Sequence, residues 1–227
     1  MSFIHGGTLI RPVSAVLFDM DGLLIDSERL ALECDRCAFE AMGIPMDYSV
    51  LLQTLGETAE SSNRIFASHI DGPFDTERFW ALTRQFFDEK VQAGELEAKP
   101  GARELIYFLG QNGIPCALGS SSALTRISVS LQATGLDRFT VIVCGDDPVR
   151  SKPEPDIFLL AAERLGICPE HCLVLEDSPS GIRAGFNGGM QVCMIPDLIP
   201  WQNEFSRFCH HACTGLADIQ TLLKEPL

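Results

Sequence analysis

Val13-Ser-Ala-Val-Leu-Phe-Asp-Met-Asp-Gly22 reads as a short apolar strand that stops abruptly at two aspartates. Four similar runs follow: Ile114–Leu118, Thr140–Cys144, Cys172–Leu175 and Met190–Ile195. Short apolar runs bounded by Gly, Pro or Asp suit strands covered on both faces. Helical patterns lie between them. Ala102–Asn112 gathers Leu105, Ile106, Phe108 and Leu109 on one side and stops at Gly113. Ala123–Thr134 and Pro155–Leu165 are closed in the same way by Gly135 and Gly166. This alternation implies an α/β fold, a doubly wound, mostly parallel Rossmann-like sheet with its site beyond the carboxyl ends of the strands.

Between Phe18 and Ile114 lies far more chain than one crossover helix requires. Glu28–Met42, Glu57–Ile70 and Thr76–Gln92 have helical patterns, and no convincing strand interrupts them. The expected organisation is an α/β core of residues 1–26 and 97–227 with an inserted α-helical cap domain of residues 27–96.

Composition narrows the functions available. Seventeen basic and 31 acidic residues leave a net charge of −14, which repels nucleic acid and anionic membranes. The apolar runs fall short of a membrane helix, which needs about 20 residues. Nine scattered cysteines, with no long apolar stretch in Met1–Pro12, are expected to be free thiols of a soluble, cytoplasmic chain.

The chemistry gathers at the strand ends. Asp19 and Asp21, at i and i+2 of an extended chain, lie on the same side about 7 Å apart. Taken alone they could be two solvated turn aspartates. Leu118-Gly-Ser-Ser-Ser122 ends the second strand with hydroxyls before a helix, which suits either a phosphate cradle or an ordinary N-cap. Lys152-Pro-Glu-Pro155 follows the third strand, with prolines that stiffen the lysine's setting. Glu176-Asp177-Ser178 closes the fourth and offers either an N-cap or hard oxygen ligands for magnesium. Four strand ends in order make independent coincidence a poor explanation.

With these residues in hand, the chain resembles the haloacid dehalogenase superfamily, in the subfamily with a helical cap after the first motif. Phe18-Asp-Met-Asp-Gly-Leu-Leu-Ile-Asp-Ser27 matches the first motif, Ser120 the second, Lys152 the third and Glu176-Asp177 the fourth. Relatives in that subfamily include sugar-phosphate phosphatases and beta-phosphoglucomutase. The resemblance implies hydrolysis of a small phosphate monoester, a sugar or polyol phosphate, through a phosphoaspartate. Asp19 is then the nucleophile and Asp21 the acid/base. Ser120 and the following amide hold phosphate oxygens, and Lys152 neutralises the nucleophile and the transferring group. The implied Mg2+ is held by Asp19, the Asp21 carbonyl and Asp177, with Glu176 as a nearby or outer ligand. Charges at ~4 Å interact by about 4 kcal/mol at an effective dielectric of 20, whereas exposed charges beyond roughly 8–10 Å are screened. A local cation therefore outweighs the acidic surface.

Asp21 disfavours dehalogenase and phosphonatase chemistry, whose enzymes lack that second aspartate. A phosphosugar mutase is the alternative activity. The stretch matching its cap loop, Thr54-Leu-Gly-Glu-Thr-Ala-Glu60, has no arginine before Arg64, and Glu57 and Glu60 would repel a second phosphate. Ser121, Ser122, Glu28, Gly56 and Glu57 are the expected substrate contacts, and the partner is a small-molecule phosphate ester bound by a monomer or weak dimer. A binding protein on a retired enzyme fold is a further class, opposed by the intact motif side chains. Cys209-His-His-Ala-Cys213 carries zinc-ligand residue types without a second pair at finger spacing, and it falls where a last edge strand is expected. Cys34 and Cys37 are read as helix packing.

Overall fold

The computed structural model describes residues 3–6, 9, 11–55, 57, 59–136 and 138–224. It divides into two compact units, Asp26–Glu97 and the remainder, Met1–Ile25 with Ala98–Leu227.

The larger unit is an α/β sandwich on a seven-stranded sheet. In chain order its strands are β1 (Phe3–His5), β2 (Ala15–Phe18), β3 (Cys116–Gly119), β4 (Val141–Val143), β5 (Cys172–Glu176), β6 (Gln191–Met194) and β7 (His211–Cys213). They lie in the order β1-β7-β6-β5-β2-β3-β4. All neighbours are parallel except β1 against β7. The chain steps from β2 outward to β3 and β4, then returns to β5 on the other side and continues to β6 and β7. The order therefore reverses at β2, whose carboxyl end is the switch point at which ligands bind in such sheets.

Burial explains the apolar runs. All four residues of β2 have no exposed surface, as do Leu173, Val174 and Leu175 of β5. Each such aliphatic side chain contributes about 1.5–3 kcal/mol of transfer free energy. The crossover helices are α5 (Ala102–Gln111), α6 (Leu124–Thr134), α7 (Asp156–Leu165) and α8 (Pro179–Asn187), with α9 (Ala217–Leu222) last. Gly135 and Gly166 take left-handed caps where the sequence places helix stops.

One expectation is corrected. β7 forms at His211–Cys213, within the expected stretch, but is not the edge, because β1 pairs with its outer side. A three-residue strand carries too little periodicity to be read locally, and its pairing depends on residues far along the chain.

The smaller unit contains α1 (Ser27–Met42), α2 (Tyr48–Leu51), α3 (Ala59–Ala67) and α4 (Thr76–Gln92), with no strand among its described residues. Phe39, Phe66, Phe74 and Phe79 form its core, with ring centroids 4.5–6.1 Å apart. The buried Thr83 hydroxyl donates to Asp35 at 3.0 Å and ties α4 to α1. Cys34 is buried there, and burial pushes its thiol up to about 12, as suits a packing residue.

Candidate active site

The site is assembled at adjacent strand ends. Asp19 follows β2 directly, and its amide still donates to Leu175 of β5 at 3.1 Å. The chain then turns tightly. Gly22 adopts a φ of 84°, and the amides of Leu24 and Ile25 donate to the Met20 carbonyl. This turn leaves Asp19 nearly buried and Asp21 partly exposed.

Lys152 comes from the loop after β4. Arg150 clasps Asp156 through its backbone amide, Nε and Nη2, which braces the loop on α7. The Lys152 ammonium lies 4.8 Å from the centre of the Phe158 ring, donates to Asp19, and donates to Glu176 at 2.7 Å. Burial penalises charge on Asp19 and pushes its pKa up, with Lys152 as the opposing countercharge. Burial alone would lower the lysine, but Asp19 and Glu176 outweigh it and hold the ammonium above its ordinary range. Lys152 is therefore a cation at neutral pH.

Glu176 ends β5 with no exposed surface. Beyond Lys152, it accepts from the Asp177 and Ser178 amides at 3.0 and 2.9 Å and from the Ser178 hydroxyl at 2.9 Å. The acids do not cap the following helix. Ser178 does so, accepting from the Gly181 amide at 3.1 Å. A Cβ on Gly181 would lie 1.7 Å from a Glu176 carboxylate oxygen, so only glycine fits beneath the carboxylate.

The serines after β3 are likewise not the helix cap. Ala123 occupies the N-cap position of α6, and Asp146 accepts from the Leu124 amide at 2.8 Å in place of a local hydroxyl. Ser120 is buried and accepts from the Ser122 amide at 3.2 Å. Ser122 donates to Asp21 at 2.9 Å, and Ser121 is exposed. A Cβ on Gly145 would meet the Ser121 carbonyl at 2.3 Å, so this glycine lets the β4 end approach the serine loop.

Asp19, Glu176 and Asp177 each offer a carboxylate oxygen within 4.8 Å of the others, and they are the sole group among the described residues that could hold a metal ion in this way. Hard, buried oxygen donors fit a hard divalent cation such as magnesium. Cys209, His210, His211 and Cys213 form no such group. His210 accepts from the Val192 amide at 3.0 Å, Cys213 faces Cys193, and burial pushes the Cys209 thiol up to about 12. In the helical unit Glu28 lies in the first turn of α1 and Glu57 is exposed, while Gly56 lies outside the described residues.

Sequence reasoning missed Gly145, Asp146, Gly181 and Arg126, whose guanidinium donates to Asp21 at 3.3 Å. Gly145-Asp146 directly behind a strand and Gly181 just inside a Pro-started helix were the available signals. Arg126 offered none.

Residues 16–195 match the family described as haloacid dehalogenase-like hydrolases. A Drosophila melanogaster protein described as "Probable pseudouridine-5'-phosphatase" is 34% identical, over 96% of this chain and 94% of its own length. A Thermotoga maritima protein named as a phosphorylated carbohydrates phosphatase is 32% identical, over 79% of this chain and 83% of its own. A Thermotoga maritima structure provisionally described as a beta-phosphoglucomutase superposes with a TM-score of 0.81 at 29% identity, covering 95% of this chain and all of that one.

Proposed function

The chain belongs to the haloacid dehalogenase-like hydrolase family, and on that premise we propose that it is a magnesium-dependent phosphatase of a small sugar or polyol phosphate. The observation that carries the reading is the buried constellation of Asp19, Lys152, Glu176 and Asp177 at three strand ends. Where burial weakens solvent screening, a lysine held against a carboxylate is suited to bringing an anionic phosphate to that carboxylate.

Asp19 attacks phosphorus, forming a phosphoaspartate, and water then releases phosphate from it. Lys152 offsets negative charge on Asp19 and on the group in transfer. Ser120 and the amide after it hold phosphate oxygens. Asp21 gives a proton to the departing ester oxygen and later takes one from the attacking water. Asp19, Asp177 and the Asp21 carbonyl would hold Mg2+, whose chemistry is to neutralise phosphate charge as the carboxylate approaches. Glu176 accepts from Lys152 and fixes it against Asp19, and as the neighbour of Asp19 and Asp177 it would be a nearby or outer ligand.

Glu28 and Glu57 of the helical unit, with Ser121 and Ser122, are the candidates for reading the rest of the substrate. Glu57 and Glu60 are exposed acids on a segment without a facing basic residue in sequence until Arg64, which supports hydrolysis over mutase chemistry. No helix among the described residues is long and apolar enough to cross a membrane. The nine free thiols support a cytoplasmic setting, and a monomer or weak dimer is the working assembly.

A phosphate-ester panel that includes pseudouridine 5'-phosphate, hexose phosphates and glycerol phosphate tests the proposal. Phosphate release with Mg2+ and its loss with EDTA is the expected result. Activity that EDTA leaves unchanged, or no hydrolysis of any ester, contradicts it.

A further inference from the structure

The two oxygens of Asp21 are held by two side chains that follow the same strand. Ser122, in the turn after β3, donates to Oδ2 at 2.9 Å; Arg126, in the first turn of α6, donates to Oδ1 at 3.3 Å. A carboxyl gripped at one oxygen can still rotate about its last torsion, whereas one gripped at both is fixed in plane and direction. The donors also differ in kind. A serine hydroxyl can turn and accept, while a guanidinium can only donate. Arg126 thus keeps Oδ1 an acceptor and leaves Oδ2 as the oxygen able to carry a proton.

The pair is partly exposed. The side chains of Arg126 and Asp21 are 42% and 27% exposed, and an ion pair this exposed contributes little to stability. Lys152 already meets the buried negative charge at Asp19.

We propose that Arg126 is a positioning residue that aims the Asp21 carboxyl at the leaving-group oxygen of the ester. The inference rests on the acid/base reading of Asp21 given above. In that step the Asp19 oxygen forms a bond to phosphorus and the phosphorus–ester oxygen bond breaks. The bonding pair stays on the ester oxygen, the Asp21 proton moves to it, and an alcohol and an Asp21 carboxylate result. An alkyl oxygen departs as a strong base and needs this proton delivered in the right direction. A p-nitrophenyl oxygen departs readily without it. Arg126 therefore matters for alkyl esters and little for the aryl ester.

The test uses the full chain with Mg2+ and compares kcat/KM, which reports steps through departure of the leaving group, for glycerol 3-phosphate and p-nitrophenyl phosphate. Arg126→Ala is expected to lose about tenfold or more on the alkyl ester and less than about threefold on the aryl ester, a fraction of the effect of general acid catalysis itself. Arg126→Lys, which keeps a donor, should recover part of the alkyl activity. Equal losses on both esters, no loss on the alkyl ester, or no recovery with lysine would overturn the assignment. Asp21→Asn is measured alongside. If its losses are equal on the two esters, the acid/base reading fails; if only Asp21→Asn discriminates between them, the role of Arg126 fails alone.

Discussion

Glu176 shows at the residue scale how little freedom the site has. Its carboxylate accepts from Lys152, two backbone amides and a hydroxyl, and Gly181 leaves it no room to move. A methyl group on Gly181 must displace either the carboxylate or the helix. Overpacking of this kind costs about 1–3 kcal/mol. Gly181→Ala is therefore expected to lower the urea midpoint and to cut kcat, because the partner that fixes Lys152 moves. Full activity in that variant would contradict the role given to Glu176. The strand-end placement of Asp19, Ser120, Lys152 and Asp177 was legible in the sequence because each follows an apolar run or a loop of recognisable type. Gly145, Gly181 and Arg126 were not, since what they touch depends on which strand ends become neighbours.

Single elements explain where the local reading stopped. β7 carries His211, which is buried between β6 and β1, with neither ring nitrogen hydrogen-bonded among the described residues. Burial, then the charges of His210 and His5, lower its pKa from 6.5 to about 4. The unfolded chain thus binds a proton that the folded strand refuses between those values. Stability from this group is complete above about pH 6.5 and is lost as pH falls toward 4, by about 3 kcal/mol in all. His211→Phe should flatten that acid limb in urea titrations at pH 7 and pH 5, and an unchanged slope would contradict the burial argument. From sequence, His211 was a weak zinc candidate on an edge strand. The edge assignment failed because β1 is three residues long, and among the described residues Cys209–Cys213 joins no group that could hold a metal. The longer helices, by contrast, end where glycine takes the left-handed conformation, a property of the residue itself.

Across the whole molecule, a chain of net charge −14 carries a site, proposed here to take phosphate, in which a buried lysine is held against Asp19 and Glu176. The parallel sheet was legible from alternating apolar runs and helices, and its reversal at β2 places the motif residues together. The proposed contacts to the alcohol portion, Glu28 and Glu57, were less legible, because side chains of the helical insert carry no strand-end signature. The account stands on Asp19 as the nucleophile of a magnesium-dependent hydrolysis. Phosphate release from p-nitrophenyl phosphate, started by adding Mg2+ to metal-free protein, tests this most directly when the wild type and Asp19→Asn are run side by side. Release by the wild type and none by the variant is the predicted result, because this ester needs no acid from Asp21 but cannot dispense with the nucleophile. Turnover by Asp19→Asn within about tenfold of the wild type would contradict it.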